Sequence, residues 1–233
     1  MLNNTSLLVL RLEGVLQSWG EDAKWDTRGS ASFPTKSGIV GLLACAMGLE
    51  RGDPRIADLS ERISVTVRAD RPGEKVEDFQ TVTGNPLRTA GGGKRSLGNT
   101  FISRRTYLQD ASFLVVIATA PALHEQIVNA LKQPTWSVFL GRRSCVPSRP
   151  VLECAYPVQT DPLELIRTYP TAERTVFPVP FETDVSLPDS ANHTRSDVVK
   201  PGYRNFERRH VWCGTIEAVS YTHLRAHETL ANL

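Results

Sequence analysis

The sequence has no Cys-x-x-Cys pair. Its four cysteines, Cys45, Cys145, Cys154 and Cys213, stand far apart, which argues against a zinc ribbon or a dithiol redox motif and leaves buried, reduced thiols as the expectation. No uncharged apolar run is long enough to cross a bilayer, and Met1 to Ser6 has no basic segment leading into a hydrophobic one, so the cytoplasm is the expected compartment. Charge of one sign is scarce as well. A net +2 over 233 residues excludes a uniformly basic nucleic-acid binder, and any affinity for phosphates must come from local clusters. Walker, GxGxxG, HExxH and GxSxG motifs and an acidic cluster fit for paired magnesium are all missing.

Asp and Glu are absent from Asn85 through Gln109, while Arg88, Lys94, Arg95, Arg104 and Arg105 all fall there. The segment is Gly-rich at its centre and flanked by β-branched and aromatic residues, Phe79 to Val82 and Thr100 to Tyr107. That pattern predicts an extended hairpin with a mobile tip, far longer than a tight turn needs, presenting positive charge to phosphates and Phe101 and Tyr107 to bases. Two smaller clusters have the same character. Gly141, Arg142 and Arg143 end an apolar strand, where the glycine admits an anion to backbone amides beside two guanidinium groups. Thr27, Arg28 and Gly29, with Lys36 and Ser37, surround the start of a helix whose free amides favour phosphate. A solvated loop, surface ion pairs and a plain helix cap explain these three segments by charge alone.

The rest of the chain is a framework. Leu7–Leu12 reads as a buried strand and Gly38–Gly48 as a buried helix with Thr35 or Ser37 as cap. The small residues Gly38, Gly41, Ala44 and Gly48 on that helix are expected to let another element approach closely. Ile63, Val65 and Val67 alternate with polar residues as in a half-exposed strand, and Phe113–Ala118 reads as another. Pro121 opens a helix through Gln133, and Trp136–Leu140 reads as a fourth strand. The order is β-α-β-β-α-β, an α+β, ferredoxin-like (RRM-like) domain over residues 1–150. Beyond Pro150, prolines at 157, 162, 170, 178, 180, 188 and 201 predict short strands and loops in a small β-rich domain, 151–218. Residues 219–233 are expected to be a non-native tail.

Catalytic constellations are thin. Metal-free RNA cleavage needs an acid and a base converging on one ribose, and no histidine lies in the basic segment. His124 sits on the second helix, and His193 and His210 lie far along the chain. Tyr107 with Lys36 is the only obvious pair.

Several ordered motifs resemble one family. Leu10-Arg11-Leu12-Glu13-Gly14, Gln17-Ser18-Trp19-Gly20, Phe33-Pro34-Thr35-Lys36-Ser37-Gly38, Thr106-Tyr107-Leu108-Gln109-Asp110, Leu140-Gly141-Arg142-Arg143 and Tyr203-Arg204-Asn205-Phe206 with His210-Val211-Trp212 look like the CasD family of the CRISPR repeat-associated RNA-binding superfamily. The resemblance implies a ferredoxin-like domain with a thumb hairpin, here about 79–107, that holds the 5′ handle of the CRISPR RNA in a type I-E Cascade complex. It implies no chemistry and no cofactor or metal, and as neighbours a backbone subunit (CasC type) and a large subunit (CasA type). Carried over by position, the RNA contacts are Arg28, Lys36, Ser37, Lys94, Arg95, Arg104, Arg105, Tyr107, Arg142 and Arg143. A relative in type I-C systems cleaves CRISPR RNA, so a metal-independent endoribonuclease is the alternative expectation.

Overall fold

Leu7, Leu8, Val9 and Leu10 are fully buried, and so are Phe113 to Ile117. Runs of this kind cannot alternate between core and water, so the strands that carry them must be covered on both faces. They form β1 (Ser6–Glu13) and β7 (Ser112–Thr119), antiparallel neighbours, both interior strands of a seven-stranded sheet in a computed structural model of the protein. The structure describes residues 5–20, 26–84, 93, 100–156, 161–175, 177–187, 191–202 and 205–217. The expected tail therefore lies outside the described residues, as do Lys94 and Arg95.

The chain order is β1, β2 (Leu16–Gln17), β3 (Thr27–Arg28), α1 (Lys36–Ala46), α2 (Pro54–Arg62), β4 (Ser64–Arg71), β5 (Glu74–Val82), β6 (Phe101–Gln109), β7, α3 (Pro121–Lys132), β8 (Leu152–Tyr156), α4 (Pro162–Thr168), β9 (Val179–Thr183), β10 (Ala191–Val199) and β11 (Phe206–Ile216). In the large sheet the spatial order is β10-β11-β9-β4-β7-β1-β8. One face packs Leu8, Leu10, Val65, Val67, Phe113 and Ile117 against α1 and α3. The other face buries Leu7, Val9, Leu114 and Val116 under α4, with Phe181 and Ile216. Each such side chain contributes about 1.5–3 kcal/mol by leaving water.

Two expectations are corrected here. Trp136 to Leu140 form no strand; the fourth strand beside β1 is β8, beyond Pro150, because Val9 and Leu10 pair with Cys154 and Leu152. The prolines after position 150 still break the chain into short pieces, yet β8 lines one edge of the large sheet and β9 to β11 extend its other side. The alternation in β4 also misleads, since its polar residues are buried too. Thr66 Oγ1 meets Thr183 Oγ1 at 2.7 Å, and Arg68, 0% exposed, forms an ion pair with Asp70 and donates to the carbonyls of Ile166, Tyr169 and Pro170. Arg11 also pairs with Asp70. Polar side chains survive there because each buried charge has a partner.

Helix α2 escaped the sequence reading, although Asp53-Pro54 is a ready start signal: Asp53 caps the helix by accepting from Arg55 N at 2.9 Å, and proline takes the first turn. In α1, Gly38 is small for a specific reason, because a methyl there would lie 2.7 Å from the Trp19 ring, whereas Gly41 has nothing within 4 Å. The cysteines are less buried than expected: only Cys145 is fully inside. Among the described residues no helix is long and apolar enough to cross a membrane.

Candidate nucleic-acid interface

The hairpin of β5 and β6 stands off the large sheet in a second, four-stranded sheet with β2 and β3. Side chains alternate along β6, so neighbours in sequence face opposite ways. Arg105 and Tyr107 point to one face with Phe101 and Ser103, while Arg104 points to the other with Ile102. β3 runs parallel to β6 and sets Arg28 beside Arg105.

On the Arg105 face the parts converge. The guanidinium of Arg142 stacks over the Tyr107 ring, 4.6 Å from its centroid, and its Nη2 donates to the Arg28 carbonyl at 2.9 Å. Tyr107 is buried beneath it, and Ser18 Oγ holds β6 by donating to the Thr106 carbonyl at 3.0 Å. The turn that delivers Arg142 depends on a glycine. Gly141 has φ +86° and lies so close to Ser18 that an added methyl would sit 1.8 Å from its carbonyl oxygen. Two nitrogens in this cluster, Arg105 Nε and Arg142 Nη1, are buried with no hydrogen-bond partner among the described residues. Leaving such a donor unsatisfied costs about 1–3 kcal/mol.

Arg104, on the opposite face, donates to Glu77 at 2.9 Å and lies over the Phe79 ring at 5.9 Å. The acid-free stretch therefore meets acids across the hairpin, on β5, where Glu77 pairs with Thr106 and Asp78 with Arg105 in the strand register. Being exposed, the Arg104–Glu77 pair is worth only about 0–1 kcal/mol and is open to exchange. Phe79 and Ile102 leave an exposed apolar patch on that face.

The remaining expected contacts are scattered. Arg143 is exposed on the turn after Gly141. Lys36 faces inward: it is 7% exposed, its ammonium pairs with Asp184 at 3.2 Å, and its backbone N–H donates to Asp197 at 2.7 Å. The positive end of α1 is thus met by a carboxylate of β10, and Arg209 ties Asp184 and Asp197 together. Ser37 lines a cleft of about 740 Å³ with Trp19, Arg51, Gly141, Lys200 and Phe206. Lys200 is itself held by Glu207 and Glu61, which push its pKa above the ordinary lysine value. His124 is buried, with Nε2 3.2 Å from the Leu7 carbonyl, so it is a packing residue.

Comparisons with known proteins agree with this architecture. The family described as CRISPR-associated protein (Cas_Cas5) matches residues 7–215. The Cascade subunit CasD of the CRISPR system of Escherichia coli (strain K12) is 35% identical over 158 residues, spanning 63% of this chain and 69% of that protein. A chain of a solved CRISPR RNA-guided surveillance complex superposes with a TM-score of 0.75 at 31% identity, covering 91% of this chain and 90% of its own. A solved Cas protein gives a TM-score of 0.69 at 29% identity over 91% and 95% of the two chains. With the family match running from the first strand of the large sheet almost to the end of its last, the chain belongs to the Cas5 family of CRISPR-associated proteins.

Proposed function

We propose that this chain is a non-catalytic, RNA-holding subunit of a Cascade surveillance complex and grips the 5′ handle of the CRISPR RNA. The observation that carries the reading is the gathering of Arg28, Arg105 and Arg142 on the Tyr107 face of the hairpin, with Arg142 stacked on the ring and Arg28 set beside Arg105. Single-stranded RNA offers that surface phosphate oxygens for the arginines and unstacked bases for a guanidinium plane. The cleft at Trp19, Ser37 and Gly141 adjoins the Gly141 turn and has room for a nucleotide.

The strand order β4-β7-β1-β8, with α1 and α3 on one face, supports reading the core as ferredoxin-like. The β5–β6 hairpin is then its thumb, and the exposed patch at Phe79 and Ile102 suits contact with neighbouring backbone (CasC type) or large (CasA type) subunits. An acid–base role fits less well. Tyr107 is buried under Arg142 and Lys36 is neutralised by Asp184, so neither is presented to a ribose.

Electrophoretic titration with handle RNA tests this reading. Each phosphate contact to a single strand adds about 0.7 to the log–log salt slope, so replacing Arg28, Arg105 and Arg142 together with Ala flattens it by about 2. An unchanged affinity and slope would sink the proposal. Specific metal-independent cleavage of repeat RNA would replace it with the endoribonuclease.

A further inference from the structure

We infer that the sheet extension formed by β9, β10 and β11 carries a binding site for a borderline-soft divalent cation such as Zn2+, ligated by Cys213, His193 and Glu182. The three residues come from three adjacent strands. Cys213 of β11 lies directly across from Glu182 of β9, and across from Ala191 of β10, two residues before His193. The period of two in a strand puts all three side chains on one face. Their ligand atoms lie within 4.8 Å of one another, which among the described residues no other group of three His, Cys, Asp or Glu side chains achieves.

The distances suit tetrahedral coordination. Cys213 Sγ and His193 Nδ1 are 3.2 Å apart, close to the roughly 3.5 Å expected between sulfur and nitrogen on one zinc ion from bonds of about 2.3 and 2.0 Å. His193 Nε2 lies 3.8 Å from Glu182 Oε1 on the other side of the ring. The imidazole is 42% exposed, so its broad second torsion is free to settle one nitrogen on a shared ion.

Glu182 is fixed for the task by Arg195, which donates through Nε to Oε2 at 3.1 Å and through Nη2 to Oε1 at 2.7 Å. Each carboxylate oxygen keeps a second lone pair, and ligating carboxylates are ordinarily oriented by such hydrogen bonds. Thiolate and imidazole select zinc-like ions over magnesium or calcium, which this single carboxylate would hold poorly. Three protein ligands leave the fourth position to water or to an outside group. The site is independent of the arginine cluster and of the RNA reading.

Titration of the reduced, full-length protein with Co2+ and Zn2+ tests the inference. The expected result is one ion per chain, with a thiolate-to-cobalt charge-transfer band and the visible bands of tetrahedral cobalt, and no response to Mg2+. Cys213→Ser removes the charge-transfer band, and His193→Ala, a change at an exposed position, weakens Zn2+ binding at least tenfold. Arg195→Ala, which removes the orienting partner, weakens it about 10- to 100-fold. A protein in which Cys45, Cys145 and Cys154 are all Ser keeps the band. Zn2+ raises the melting temperature of the wild type but not of Cys213→Ser. Absence of the band in the wild type, or its persistence in Cys213→Ser, would overturn the site and leave a thiol–imidazole hydrogen bond only.

Discussion

Replacing Gly141 with Ala tests the link between the fold and the arginine cluster at a single atom. The new methyl would lie 1.8 Å from the Ser18 carbonyl oxygen and 2.8 Å from its carbon. Both are backbone, so no side-chain rotation relieves the overlap. Holding a residue with a Cβ at φ +86° adds about 1–3 kcal/mol of backbone strain. Moving the turn away from Ser18 breaks the Ser18 N–H to Leu140 carbonyl bond of 3.1 Å, worth about 1 kcal/mol. The total is about 2–4 kcal/mol, which for a protein of this size lowers the melting temperature by about 4–16 °C. The same displacement lifts Arg142 off Tyr107, so handle-RNA affinity falls and its salt slope loses about 0.7. Scanning calorimetry and RNA titration at several salt concentrations read both effects. Gly41→Ala is the control: with nothing within 4 Å on an exposed helix surface, it gains about 0.5–1 kcal/mol. A Gly141→Ala protein with wild-type melting and wild-type RNA binding would refute both the steric argument and the role of the turn.

Asp70→Asn leaves Arg11 and Arg68 without their shared carboxylate and weakens the acceptor of the Ala172 N–H, so urea unfolding shows a loss of about 3–5 kcal/mol. Lys36→Met removes an inward-facing charge; RNA affinity stays within about twofold of wild type while Arg142→Ala weakens it clearly, since on the proposed reading only Arg142 meets a phosphate. Burial, then the neighbouring Glu153, raises the Tyr169 phenol above its ordinary pKa of 10.0. Its proton therefore stays on in the folded protein through the range in which a free phenol ionises, and wild type and Tyr169→Phe trace the same phenolate absorbance curve through that range. The sign follows by linkage. A raised folded-state pKa gives stability that is complete below the unfolded value and is lost as pH rises beyond it.

The sequence by itself determined the central strands, the two long helices and the family. Continuous apolar runs such as Leu7–Leu10 and Phe113–Ile117 have one stable destination, a doubly covered strand, and Thr35 or Pro121 marks where a helix starts. It also placed Arg28, Arg105, Tyr107 and Arg142 among the candidate contacts, since arginine, glycine and aromatic residues show in any reading of composition. Only the tertiary structure decided which of these act together. Strand alternation sends Arg104 and Arg105 to opposite faces, and the parallel pairing of β3 with β6 brings Arg28 to Arg105 across more than seventy residues of chain. Lys36 looks like any helix-start lysine until β10 and the segment after β9 bring Asp197 and Asp184 against it. The triad of Cys213, His193 and Glu182 leaves no local spacing to detect, because its residues meet only when three strands pair side by side. Periodicity and capping are local and can be read along the chain; charge partners and ligand sets depend on which strands lie next to each other, which pairing over long sequence separations alone decides.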